Sequence, residues 1–394
     1  MNPHSQLPRV DELDGLRGLL ATWVAISHIL CWSGFAGVML PPPFGRFWLN
    51  FIFAQPAVEV FIILSGFAIS FLLHAKKQSY AGFMQGRFFR IYPTYFVCLA
   101  FGMGTLYLTP FIIQQAQWRD TSYFQLLGDL SKSERQYFLP HAVSHLTLFN
   151  GLIPHSLLPN ATGTLLPPAW SVSLEWQYYL VAPLIAILVR SSMSLLVLSA
   201  IAYTGTRLQA HWLNPHLAFL PAQLPLFMIG IGSYHLYAYF KSNLGRRSNR
   251  FSLPAAALLS ATVLLSWHSV ALIAWGLTLG CIFIEGDGVF ARTIHLMRTV
   301  LLHPRLQQLG RISYPLYLVH WPILILCLTL LLRWKPMVTS TEALGLMLLV
   351  ALPIMLVVAG ALHYFVEVPA IKFGKHLKGP GKAPEPAPSG HGTS

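Results

Sequence analysis

A chain of 394 residues that is 55% hydrophobic and only 10% charged, with a mean hydropathy of +0.56, does not have the composition of a water-soluble domain, where about 25% of residues carry charge. Its net charge of +13 needs no nucleic acid as partner, because in a polytopic membrane protein a basic excess follows from topology and from attraction to anionic headgroups. The four cysteines, Cys31, Cys98, Cys281 and Cys327, fall in apolar runs without metal-type spacing, so free thiols and no metal centre are expected.

Apolar runs over about 13–34, 51–73, 91–113, 172–189, 193–206, 217–240, 253–268, 270–284, 312–332 and 343–366 predict an all-α membrane helix bundle. About ten spans follow, most near the length of about 20 residues that a bilayer requires. A weaker apolar piece at 141–153 is expected to be interfacial or re-entrant. The first run lacks a small-residue cleavage site and is expected to remain as a span. With both termini on the cytoplasmic side, the opposite face keeps only Arg46, Arg119, Lys132, Arg135, Arg207, Arg333 and Lys335 of the 26 basic residues, in line with the retention of Lys and Arg inside. One membrane domain over 1–376 and a disordered Pro/Gly-rich tail over 377–394 complete the organisation. The outward loop, about 114–171, is long enough to have structure or a task of its own.

Arg17 and His28 stand eleven residues apart in LDGLRGLLATWVAISH. Eleven steps of about 100° make roughly three turns, so both side chains share a helix face with His28 about 16 Å further along. Ionisable groups in lipid are costly, which directs this face toward other helices or a wet cavity, although a snorkelling arginine and a hydrogen-bonded structural histidine would fit equally well. A neutral imidazole can take the proton of an attacking hydroxyl.

Glu59, in VEVFIILSGF, is a second acidic position in the membrane, and the Ser65–Gly66 step beside it permits close helix approach. Arg87 and Arg90 in RFFR share a face at i, i+3, where planar guanidinium forks suit phosphate; ordinary positive-inside anchoring is the alternative. After Pro167–Pro168 a helix should begin, placing Ser171, Glu175 and Tyr179 on one face. His320 is followed by Trp321 and Pro322, so it either meets substrate or satisfies a carbonyl that the proline frees.

These segments, together with LPAQLPLFMIGIGSY and HYFVEVPAIKF, resemble in order and spacing the acyltransferase family 3 membrane proteins over nearly the whole chain. Glu59 stands where that family often has aspartate, and Val368 where an arginine often precedes the proline. The resemblance implies a multi-pass O-acyltransferase of the bacterial cytoplasmic membrane, of the type without a fused esterase-like domain. It would move an acyl group, commonly acetyl, from cytoplasmic acyl-CoA to a hydroxyl of a carbohydrate or related acceptor. Carried over, His28 is the catalytic histidine and Arg17 its motif partner; Glu175, on a recurrent family motif, is expected as a second catalytic group. Arg17, Arg87 and Arg90 bind the donor, and Glu59 and His320 contact substrate. A membrane carrier or flippase for an amphipathic metabolite or lipid-linked sugar is the competing class, since intramembrane Arg, His and Glu also mark transport routes.

Overall fold

The computed structural model describes residues 10–37, 44–75, 78–189, 191–211, 218–243, 269–284 and 288–377, and the regular structure among them is helical. The chain begins with α1 (Asp11–Trp32), α2 (Phe44–Phe53) and α3 (Gln55–Ala75). It continues through α4 (Tyr80–Gly104), α5 (Leu108–Gln115), α6 (Ser122–Gln136), α7 (Phe138–Leu146) and α8 (Ala169–Leu188). Next come α9 (Ser192–His211), α10 (Leu220–Asn243), α11 (Ser269–Phe283), α12 (Val289–Leu301) and α13 (Pro304–Arg311). Last are α14 (Ser313–Trp334) and α15 (Ser340–His376), the latter containing two π turns at Met347–Ala351 and His363–Glu367.

Every expected apolar run within the described residues lies on a helix; the run at 253–268 and the tail beyond Leu377 lie outside them. Five helices, α1, α3, α8, α14 and α15, are long and apolar enough to cross a bilayer alone. A sixth span results if α4 and α5, bent by 53° at their junction, are counted together. The bend has a local cause: Thr105 turns its hydroxyl back onto the Gly102 carbonyl at 2.8 Å, a side-chain bond that competes with continuation of the helix. α11, at 15 residues, is short for a span.

The most buried spans are α14 and then α1 and α3, whereas α15 faces outward along most of its length. α1 lies against α2, α3, α13 and α14. Two glycine contacts mark a close crossing of α3 and α10. A methyl group on Gly66 of α3 would come within 2.2 Å of the Phe227 carbonyl oxygen, and one on Gly230 of α10 within 1.9 Å of that of Ile63. The expected close approach at Ser65–Gly66 is therefore the α3–α10 contact, with backbones meeting where only glycine fits. Gly310 packs likewise on the Asp14 carbonyl, seating α13 beside the turn of α1 that carries Arg17.

α2 ends on α1. Trp23 Nε1 donates to the Phe51 carbonyl at 2.8 Å, and Ser27 Oγ and Cys31 Sγ both reach that of Ile52, so two of the orphan carbonyls of the helix end are satisfied. Ala54 then adopts φ +47 and the chain turns into α3, in the left-handed position that commonly terminates a helix and usually carries glycine.

The loop over 114–171 is a folded cap. His141 sits between Ser133 at 3.1 Å and Thr164 at 3.0 Å, His145 Nε2 bonds the Ala161 carbonyl at 3.1 Å, and Glu134 accepts the Leu165 N–H at 3.0 Å. Within the 141–153 piece, α7 is followed by a short 3₁₀ turn at Asn150–Leu152. Burial holds His141 and His145 neutral, down to about 4 and about 3, and pushes the Glu134 carboxyl up to about 7.

Candidate active site

The early turns of α1, α4 and α14, the later turns of α3 and the first half of α8 enclose a cavity of about 310 Å³, within the size range of small-molecule sites. Arg17, Arg87, Arg90, Ser65, Glu175, Tyr179, Tyr314 and Tyr317 line it. α4 starts where the Ser79 side chain accepts the Gly82 N–H at 3.1 Å, a regular N-cap, and two turns later its i, i+3 spacing turns Arg87 and Arg90 inward. Ser171, Glu175 and Tyr179 line the same wall, as their i, i+4 spacing on α8 requires.

The three guanidinium groups are not equivalent. Arg90 is clamped: its Nη1 lies 3.8 Å from Glu367 Oε1, and the other oxygen of that buried carboxylate is 2.7 Å from His363 Nδ1. Arg87 lies against the faces of Tyr179 and Phe83, with ring centroids 5.6 and 6.0 Å away. The Nε atoms of Arg17 and Arg87 are buried without a hydrogen-bond partner among the described residues. Glu175 accepts from Ser65 Oγ at 3.1 Å and from the Tyr179 hydroxyl. With Arg90 paired to Glu367, Arg17 and Arg87 share the wall with one carboxylate, Glu175, that is already engaged, and unpaired buried donors of this kind call for an anion.

His28 lines a second cavity, of about 210 Å³, with Val24, the turn Phe53–Gln55, Thr162, Gly163, Pro167, Pro168, Trp170 and Tyr317. Its Nδ1 is 2.9 Å from the Val24 carbonyl oxygen. That bond uses the N–H of the neutral ring at Nδ1 and leaves Nε2 as a lone pair, the form a general base needs. The His320 ring lies 4.9 Å from that of His28, centroid to centroid, and Trp321 meets His28 edge-on at 5.3 Å. His320 is fully buried, with Nδ1 on the Leu316 carbonyl at 3.2 Å and Nε2 without a partner. The carbonyl that Pro322 frees is that of Leu318, four residues back, so His320 does not serve it.

Arg17 and His28 project from one unbroken helix, but each lines its own cavity, and the two chambers meet at Tyr317, which lines both. The site therefore has two chambers where the sequence suggests a single groove. Glu175 belongs to the arginine chamber and does not line that of His28. Glu59 is buried, 3.4 Å from Gln55 Nε2, one turn behind the wall of the His28 chamber. Among the described residues no cluster of His, Cys, Asp or Glu could hold a metal ion.

A family model described as an acyltransferase domain, acyltransferase family 3, matches residues 10–363. The chain belongs to this family. No curated protein and no solved structure matches it. Membership makes the chain a membrane protein of an acyl-transferring family, and the matched stretch contains both chambers, from Arg17 to Tyr317.

Sequence reasoning did not single out Tyr317 or the two left-handed residues at the His28 chamber. Ala54 lies in its wall, and Leu165, at φ +55, sits between wall residues Gly163 and Pro167. Such backbone strain in non-glycine residues clusters at functional sites. Tyr317 had a weak signal, three residues before His320 on one helix face. Ala54 had none, since neither glycine nor asparagine marks it.

Proposed function

We propose that this protein is an O-acyltransferase of the bacterial cytoplasmic membrane, with about ten spans and both termini cytoplasmic, that passes an acyl group, commonly acetyl, from acyl-CoA to a hydroxyl of a carbohydrate or related acceptor. The observation that carries the reading is the pair of buried, unpartnered Nε atoms of Arg17 and Arg87 in a chamber that adjoins the one lined by His28.

In this reading the arginine chamber opens to the cytoplasm and takes the phosphate-bearing donor. Arg17 and Arg87 supply free donors, while Arg90 is already oriented by Glu367. The thioester arm extends toward Tyr317. The acceptor occupies the His28 chamber, where Trp170 and Phe53 offer apolar faces and Gln55 and Thr162 offer polar ones. His28 Nε2 takes the hydroxyl proton as oxygen attacks the acyl carbon, then returns it to the leaving thiolate. A positioned base of this kind contributes about 10²- to 10⁴-fold of rate. Glu175 and His320 act through their neighbours: Glu175 orders Ser65 and Tyr179 beside the arginines, and His320 keeps the His28 ring in place. Glu59 supports the acceptor wall through Gln55.

The test is acetyl-CoA turnover by purified protein in nanodiscs, supplied with envelope glycans. CoA thiol release coupled to O-acetylated glycan supports the enzyme. Flux of a lipid-linked sugar across vesicles, without CoA release, would establish a carrier instead.

A further inference from the structure

We infer that Tyr317 is a catalytic residue of this site, donating its phenolic hydrogen to the acyl carbonyl oxygen as that oxygen becomes an oxyanion at the junction of the two chambers. The inference rests on the acyl-transfer reading above and deepens it.

Tyr317 is 7% exposed and lines both chambers, the one carrying the three arginines and the one carrying His28. A thioester that enters beside the arginines and an alcohol that rests beside His28 can meet only where the chambers adjoin, so the phenol stands at the reacting carbon. Its position is fixed on three sides. Phe61 packs edge-on at 6.0 Å, His320 lies 6.2 Å away on the same helix, and Ser171 Oγ is 2.8 Å from the phenolic oxygen.

The hydrogen count decides what the phenol can do. Ser171 has one hydrogen and two acceptors in reach, the Tyr317 oxygen at 2.8 Å and the Pro168 carbonyl at 3.3 Å. Given to the nearer, it fills a lone pair of the phenol and leaves the phenolic hydrogen unused, because the bond with Ser171 is the phenol's only hydrogen bond among the described residues. A donor held in place before the reaction and aimed at developing charge is what stabilises a tetrahedral oxyanion most effectively.

The step balances as follows. The acceptor O–H proton moves to His28 Nε2 and the acceptor oxygen bonds the acyl carbon. The carbonyl π pair moves onto oxygen, which accepts the Tyr317 hydrogen bond. When that pair returns, the C–S bond breaks, and the thiolate leaves as CoA thiol with the proton from His28. Ester and CoA thiol are the products, and no further reagent is consumed.

The experiment uses full-length protein in nanodiscs with acetyl-CoA labelled with ¹³C at the thioester carbonyl. In His28→Ala, which should bind donor without turning it over, the bound carbonyl stretch is expected at lower wavenumber than in free acetyl-CoA. That shift is expected to vanish in the His28→Ala/Tyr317→Phe double variant. Tyr317→Phe alone should lower kcat about 10²- to 10³-fold, with the KM for acetyl-CoA within about two-fold of wild type, the pattern of an interaction made in the transition state. Ser171→Ala, which keeps the phenol but frees its orientation, should lower kcat by a smaller factor at unchanged KM. An unshifted carbonyl in His28→Ala, an equal shift in the double variant, or wild-type kcat in Tyr317→Phe or Ser171→Ala would overturn the assignment. Full transfer by His28→Ala would instead overturn His28 as the base, and absence of CoA release by the wild-type protein would overturn the acyl-transfer reading itself.

Discussion

The imidazoles of His28 and His320 lie 4.9 Å apart on two different helices, each with Nδ1 directed at the carbonyl oxygen four residues earlier. The arrangement gives both rings a lone pair at Nε2, but only His28 lines a chamber. One ring is therefore placed to meet an acceptor and the other to brace it. His320→Gln should cost about ten-fold in kcat at unchanged donor KM, against the 10²- to 10⁴-fold expected for His28→Ala. Steady-state CoA release by the two variants, assayed side by side, checks the order; a larger loss in the His320 variant would reverse the roles.

Arg17 and Arg87 should govern donor affinity. Replacing either with lysine keeps the charge but loses the planar fork, so the KM for acetyl-CoA should rise about ten-fold with a smaller change in kcat. Titration of acetyl-CoA at saturating acceptor separates the two constants. An unchanged KM would remove these residues from the donor site.

Glu367 holds Arg90 from the last helix and is itself bonded to His363. Glu367→Ala removes one partner of a buried pair, leaving an uncompensated charge. Because Arg90 is one-third exposed, water offsets part of the loss, and about 1–3 kcal/mol of destabilisation is expected. Thermal unfolding in nanodiscs is the readout, with a fall of several degrees expected in the midpoint.

The cap over 114–171 should respond to pH in two opposite ways. The Glu134 carboxyl, raised to about 7 by burial, binds its proton more tightly in the folded protein than in the unfolded chain. Its contribution is therefore present at low pH and lost as pH rises from about 4.5 through 7. His141 and His145 are depressed to about 4 and about 3; their contribution is lost as pH falls from about 6.5 toward those values. In wild type the Glu134 trend cancels part of that of the two histidines between about 4.5 and 6.5. Glu134→Gln should remove one of them, so that the thermal midpoint rises steeply with pH over that window. A flat profile in the variant would contradict the assignment of His141 and His145 as neutral buried groups.

Gly230 of α10 meets the Ile63 carbonyl, three residues from Gly66 on α3. Gly230→Ala would bring a methyl group within 1.9 Å of that oxygen, forcing apart the two backbones beside Ser65. Loss of monodisperse protein on size exclusion, or a clear drop in thermal midpoint, is expected. Wild-type behaviour would mean that α3 and α10 are not in this register.

The periodicities visible in the sequence are those that one helix carries by itself. Arg87 with Arg90, and Ser171 with Glu175 and Tyr179, could be placed on shared faces because i, i+3 and i, i+4 neighbours are fixed by helix geometry. The joining of those two faces into one chamber, and the pairing of His28 with His320, depend on how helices distant in sequence cross, which no local spacing encodes. The cap was equally hidden, since Glu134 and His145 find backbone partners at Leu165 and Ala161, and His141 finds the hydroxyls of Ser133 and Thr164. Ala54 illustrates the limit: its left-handed turn is imposed by Trp23, Ser27 and Cys31 holding the end of α2, so the cause lies on another helix.

The most direct test of the central claim is a paired measurement on one preparation of His28→Ala in nanodiscs, scoring acetyl-CoA binding and acyl transfer together. Donor binding within about two-fold of wild type is expected, with transfer reduced by at least about 10²-fold. Transfer at the wild-type rate in that variant would contradict it.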